Sequence, residues 1–102
     1  MSLKFQLEEL LESFDYTSNV EERIRLLRSA IGRLSNIFYG TEKEEIYADQ
    51  VRRIKLRLRE LRERYVECGD DVGCWRELMD NLEELRDQVE RIAVREGIIG
   101  RE

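Results

Sequence analysis

The stretch from Tyr47 to Cys68, YADQVRRIKLRLRELRERYVEC, decides the fold. Its apolar residues Tyr47, Val51, Ile54, Leu58, Leu61, Tyr65 and Cys68 recur at alternating intervals of four and three, which on a helix makes one unbroken stripe. The positions between them are mostly Arg, Lys and Glu, so the rest of that helix is charged surface. A stripe of this kind is stable only when another apolar surface covers it.

Three further stripes lie on either side. Leu3, Leu7, Leu10 and Phe14 form the first; Val20, Ile24, Leu27, Ile31, Leu34 and Phe38 the second; Trp75, Leu78, Leu82, Leu85, Val89 and Ile92 the last. Capping signals separate them. Ser18 with Glu21, or Asn19 with Glu22, and Thr41 with Glu44 fit capping boxes, and Asp70 or Asp71 fits an N-cap. Gly40 and Gly97 are placed to end helices in the left-handed conformation. Helices are therefore predicted over about 2–16, 19–39, 42–68 and 72–96.

A mean interval of 3.5 residues favours left-handed, coiled-coil-like packing, and connections of a few residues make successive helices antiparallel neighbours. The expected fold is all-α, an antiparallel up-down-up-down four-helix bundle forming one domain over residues 1–102. The third and fourth helices reach roughly 35–40 Å and the first two only roughly 22–30 Å, so one end of the long hairpin is expected to overhang. Leu26, Leu56, Val94, Ile98 and Ile99 fall off the stripes. Two readings fit them: scattered exposed side chains, or a second interface for a homodimer or a partner helix.

Composition narrows the chemistry. The 102 residues include no Pro and no His, 40% are charged, and 15 Arg stand against 3 Lys, with a net charge of −5. Without His the usual general base, proton shuttle and metal ligand are missing, and haem, Glu-x-x-His di-iron sites and Ser-His or Cys-His dyads are excluded. The expectation is no catalytic function, no cofactor, no metal site and no small-molecule substrate. The acidic balance argues against nucleic acid as a partner. No run approaches the ~20 apolar residues of a membrane span, and the first residues lack the apolar core of a secretory signal, so a cytoplasmic location away from membranes is expected.

Cys68 and Cys74 flank Gly-Asp-Asp-Val-Gly between two helices. A disulfide across this turn, two free thiols and a zinc site are the three readings; the last has only loop carboxylates to complete a tetrahedral set.

The most asymmetric segment is Arg52–Arg64, in which Arg52, Arg53, Lys55, Arg57, Arg59, Arg62 and Arg64 outnumber Glu60 and Glu63. Arg59 and the neighbouring Leu56 are candidates for contact with an acidic protein surface. The plainer expectation is pairing within the chain, with Glu77, Glu83, Glu84, Asp87 and Glu90 of the last helix as partners in sign.

Two short resemblances bear on function. Glu8, Glu9 and Glu12 resemble the first half of the Glu-Glu-x-x-Glu magnesium motif of the all-α nucleotide pyrophosphohydrolases, whose later Glu-x-x-Asp is not matched: Glu45 and Asp49 stand four apart. Asp49-Gln-Val-Arg-Arg-Ile54 resembles Glu-Gln-Val-Arg-Lys-Ile in the receptor-binding first helix of helical cytokines of the granulocyte colony-stimulating kind. That resemblance covers six residues, and implies partner contacts for Asp49, Gln50, Arg52 and Arg53.

Two kinds of molecule fit these readings. One is a stable bundle without evolved activity, such as a designed scaffold, as unbroken heptads and repeated caps suggest. The other is a natural interaction module, homodimeric or bound to a protein partner through the Arg52–Arg64 face.

Overall fold

The computed structural model describes residues 2–100. They form four helices and, among the described residues, no strand: α1 (Leu3–Tyr16), α2 (Val20–Phe38), α3 (Glu42–Glu67) and α4 (Val72–Arg95). Side-chain caps start each of them. Ser2 Oγ accepts from the Phe5 N–H (3.1 Å), Asn19 Oδ1 from Glu22 (2.9 Å), Thr41 Oγ1 from Lys43 (3.2 Å) and Asp71 Oδ1 from Cys74 (3.1 Å). Each satisfies one of the backbone donors that a helix start leaves unpaired. The return arm of the expected box at Asn19 is absent, because the Glu22 carboxylate turns to Arg25 instead.

Contacts between distant residues fix the direction of each helix. Gln6, early in α1, accepts from Arg33, late in α2 (2.8 Å). Tyr65, at the end of α3, reaches Glu21 at the start of α2 (3.4 Å), and Tyr47 near the start of α3 donates to Glu96 after α4. Successive helices therefore run in opposite directions. α2 and α4 also touch each other, so α2 is the central helix: α1 packs on one flank of it, and α3 packs against both α2 and α4. Extents of 44 × 26 × 23 Å show the long axis of the α3–α4 hairpin.

The central place of α2 explains where the core departs from the four stripes. α2 has neighbours on several sides and buries a wide arc that includes Leu26 and Ala30 beside the expected Ile24, Leu27, Ile31, Leu34 and Phe38. In α1 the buried residues are Leu7, Leu11 and Phe14; Leu10 is only partly covered and Leu3 is exposed, so the stripe there is turned by about one residue. At the start of α4 Cys74 takes the core position, and Trp75 lies half-buried beside it. The Trp75 indole donates to the Gly69 carbonyl (2.8 Å) and meets the Tyr65 ring edge-on at 5.3 Å.

The tail is not a loose end. Gly97 adopts φ 70°, the Ile98 N–H returns to the Ala93 carbonyl (2.8 Å) and the Gly97 N–H to Val94 (3.1 Å). This is a Schellman turn, in which a left-handed residue after the helix closes the last carbonyls and folds the next apolar residue back. Ile98 and Ile99 are buried as a result. Of the five off-stripe apolar residues, three thus belong to the core and Val94 packs against it; Leu56, 52% exposed, stands alone on the outer face of α3.

Candidate functional site

The Arg52–Arg64 segment does not pair with α4 as its sequence suggests. Arg52 meets Asp49, Arg57 meets Glu60 (3.8 Å) and Arg64 meets Glu67 (3.7 Å), all one turn apart within α3. The acids of α4 turn elsewhere: Glu83 to Arg23 of α2 (3.2 Å), Asp87 (3.4 Å) and Glu90 to Arg86 of α4 itself. Arg86 is largely buried and also reaches Asp15 (2.7 Å), tying α1 to α4. At 100° per residue Lys55, Arg59 and Arg62 lie on the flank of α3 turned to α2, while Arg57 and Arg64 lie on the other, where they border the same cavity as Glu77 of α4 and still pair within α3.

That α2-facing flank borders an open groove. Its centre is a cavity of about 420 Å³ lined by Ile24, Arg28, Ile31 and Gly32 of α2 and by Lys55, Leu58, Arg59 and Arg62 of α3. Ile24, Ile31 and Leu58 are buried core residues and form the floor; Arg28, Lys55, Arg59 and Arg62 are exposed and form the rims. No acid lines this central part, and none of its four cations makes an ion pair among the described residues. Their stems cover apolar surface while four positive charges stand over it, an arrangement suited to an anionic, partly apolar occupant.

The groove continues both ways. Toward the end of α3 a cavity of about 370 Å³ adds Glu21, Arg25, Tyr65 and Val66, and toward its start one of about 330 Å³ adds Ser35, Phe38, Tyr39, Tyr47 and Arg52. The Ser35 hydroxyl is buried without a hydrogen-bond partner. Gly32 owes nothing to close helix packing: a Cβ there would meet no atom within 4 Å. Its lack of a side chain keeps the middle of the groove open.

The residues singled out from sequence are only partly brought together. Arg59 lines the centre of the groove and Arg52 one end, with its guanidinium held by Asp49. Gln50 is partly buried on the opposite flank, and Arg53 and Leu56 face outward on α3. Arg28 was not marked by the sequence, although its position one turn from Ile24 and Gly32, on the flank of the α2 stripe, could have indicated it. Cys68 and Cys74 are joined by a disulfide with Cα atoms 5.4 Å apart. Glu8, Glu9 and Glu12 are exposed on α1, and among the described residues no group of three or more Cys, Asp or Glu converges as a metal site would. No helix among them is long and apolar enough to cross a membrane.

A second cluster closes the far end of the α3–α4 hairpin. Glu96 accepts from the Tyr47 hydroxyl and pairs with Lys43 (3.0 Å), and Tyr47 stacks on Phe38 at 5.0 Å between centroids. The Tyr47 hydrogen bond first, and then Lys43, hold the Glu96 carboxyl below its ordinary value of 4.5, and the Lys43 ammonium is raised by the same contact. Every polar group of this cluster has its partner within it, which makes it a structural clasp.

Comparison with known proteins agrees with a natural lineage. The chain is 75% identical over 99 residues to a protein of Archaeoglobus fulgidus described as an uncharacterized protein, with 97% of each chain covered. It belongs to the same family as that archaeal protein. No protein-family model matches the chain, and no solved structure does. A natural relative so close along its whole length leaves the designed-scaffold reading without support.

Proposed function

We propose that the protein is a non-catalytic interaction module whose α2–α3 groove takes an acidic amphipathic helix of a protein partner. One observation carries this reading: four cations without ion pairs among the described residues, Arg28, Lys55, Arg59 and Arg62, rim a floor of Ile24, Ile31 and Leu58. A helix with carboxylates along its flanks and apolar residues along its centre satisfies both parts at once. Binding is favoured over catalysis because the polar side chains lining the centre of the groove are Arg and Lys, with no carboxylate, thiol or hydroxyl among them to act as base or nucleophile. Glu21 and Glu44 at the two ends would repel the phosphates of a longer nucleic acid.

The test is a titration of the protein with a synthetic helical peptide bearing Glu on one face and Leu and Phe on the other, followed by the methyl resonances of Ile24, Ile31 and Leu58. These signals are expected to shift, and Arg59→Glu with Arg62→Glu to weaken binding roughly tenfold or more while leaving the melting temperature nearly unchanged. Methyl signals that stay in place, or equal shifts with a sulfated polysaccharide, would remove the reading in favour of no site or of a general anion surface.

A further inference from the structure

The outer face of α1 carries a second stripe. Phe5, Glu9, Glu12 and Tyr16 follow one another at intervals of four, three and four, with Glu8 beside them, all on the side away from the buried Leu7, Leu11 and Phe14. Phe5 is 49% and Tyr16 91% exposed. Glu8, Glu9 and Glu12 make no ion pair among the described residues. Resting on the groove reading above, we propose that the occupant of the α2–α3 groove is this face of α1 from a second copy of the chain.

Three features of the two surfaces agree. Their charges are opposite: three carboxylates meet four cations, all without ion pairs among the described residues. Their lengths match, since the 14 residues of α1 span about 21 Å and the 19 residues of α2 that form one groove wall span about 28 Å. Their apolar parts match as well. Phe5 and Tyr16 stand about 16 Å apart along α1, and the groove has apolar cavities at both ends, one with Tyr65 and Val66 and one with Phe38 and Tyr39.

The groove cannot take the α1 of its own molecule. That helix already occupies the other flank of α2, where Arg33 donates to Gln6 and Arg23 lies over Phe14, about half a turn around α2 from Arg28 and Gly32. Acidic face and groove therefore point in opposite directions on one molecule. Their contact is heterologous and builds a ring or an open chain instead of a two-fold dimer.

Sedimentation velocity of the full chain from micromolar to about 1 mM, in low salt and in about 1 M salt, reads this directly. The mass is expected to grow with concentration and to fall in high salt, where exposed charges are screened within about 3 Å. Two variants, Glu8→Gln/Glu9→Gln/Glu12→Gln and Arg59→Glu/Arg62→Glu, each lose one surface and should each associate roughly tenfold or more weakly. An equimolar mixture of the two keeps one intact pair of surfaces and should give a 1:1 complex that does not extend. A wild-type protein that stays monomeric while still binding the acidic peptide overturns self-docking and leaves the groove reading standing; failure of both overturns both. Association that neither variant weakens shows that other surfaces carry it, and also overturns the proposal.

Discussion

The guanidinium carbon of Arg23 stands 4.6 Å from the centre of the Phe14 ring. Arg23 is only 8% exposed; its Nε donates to the Thr17 carbonyl (2.5 Å) and its Nη1 to Glu83 (3.2 Å). One side chain thus ties the end of α1, the α1–α2 turn and α4 together. Burying a guanidinium is costly unless its charge and N–H groups find partners, and here a ring face, a carbonyl and a carboxylate supply them to the charge, to Nε and to Nη1.

Arg23→Ala is therefore expected to lower stability by about 2–3 kcal/mol, from lost charged hydrogen bonds and the cation–π contact. Glu83→Gln should cost under about 1 kcal/mol, because the Glu83 side chain is more than half exposed and the pair is partly screened. Urea unfolding of both variants checks the ranking. Equal losses would mean that the ion pair, and not the ring and the carbonyl, holds Arg23 in place.

The disulfide between Cys68 and Cys74 closes a loop of six residues' separation between the two longest helices. Reduction, or the Cys68→Ser/Cys74→Ser variant, is expected to cost about 2–3 kcal/mol through the freedom returned to the unfolded chain. The helices themselves should survive, since Leu61, Leu78 and the Tyr65–Trp75 contact still close that end. Thermal unfolding by circular dichroism, with and without reductant, measures the difference. An unchanged midpoint would show that the connection is already ordered in the unfolded ensemble.

Glu96 supplies a pH signature. Its carboxyl is lowered in the folded protein by the Tyr47 hydroxyl and then by Lys43, so the unfolded state binds the proton more readily. The stabilisation is fully present above the ordinary carboxylate range and is lost as pH falls through the lowered folded value. Lys43 works in the opposite sense, its raised ammonium stabilising the fold until pH rises past its ordinary 10.5. Glu96→Gln should thus lower the melting temperature at neutral pH, with the gap to the wild type closing in acid. A gap that persists unchanged to about pH 2 would show that Glu96 acts by packing alone.

Much of the fold is written in single residues. The α3 stripe, the Asn19, Thr41 and Asp71 caps and the Gly97 stop all act within a turn or two of their own positions, where spacing and side-chain chemistry decide. What the sequence does not display is set between helices. Leu26 and Ala30 are buried because they fall on the flank of α2 that Arg23 and Arg33 share with α1, and Leu11 replaces Leu10 because α1 is turned by about one residue against α2. The groove is hidden for the same reason. Its charge depends on which flank of α3 turns toward α2, and on Arg28 and Gly32, not acids, standing opposite. Leu56, by contrast, is legible as an off-stripe residue and stands exposed outside the groove.

Gly32 connects stability with the proposed occupant. It lies inside α2, where glycine costs about 0.5–1 kcal/mol against alanine, and an added Cβ would meet nothing within 4 Å. Gly32→Ala should therefore raise stability by about that amount, with no change elsewhere in the bundle. A larger residue at the same place, Gly32→Trp, points its ring into the space between Arg28 and Arg59 that the partner helix would fill. The fold should tolerate it, because the position opens to solvent, while peptide binding and self-association should both fall roughly tenfold or more. Melting curves and titrations on the two variants separate the effects. A Gly32→Trp protein that is folded and still binds as the wild type does would move the docking site away from the middle of the groove.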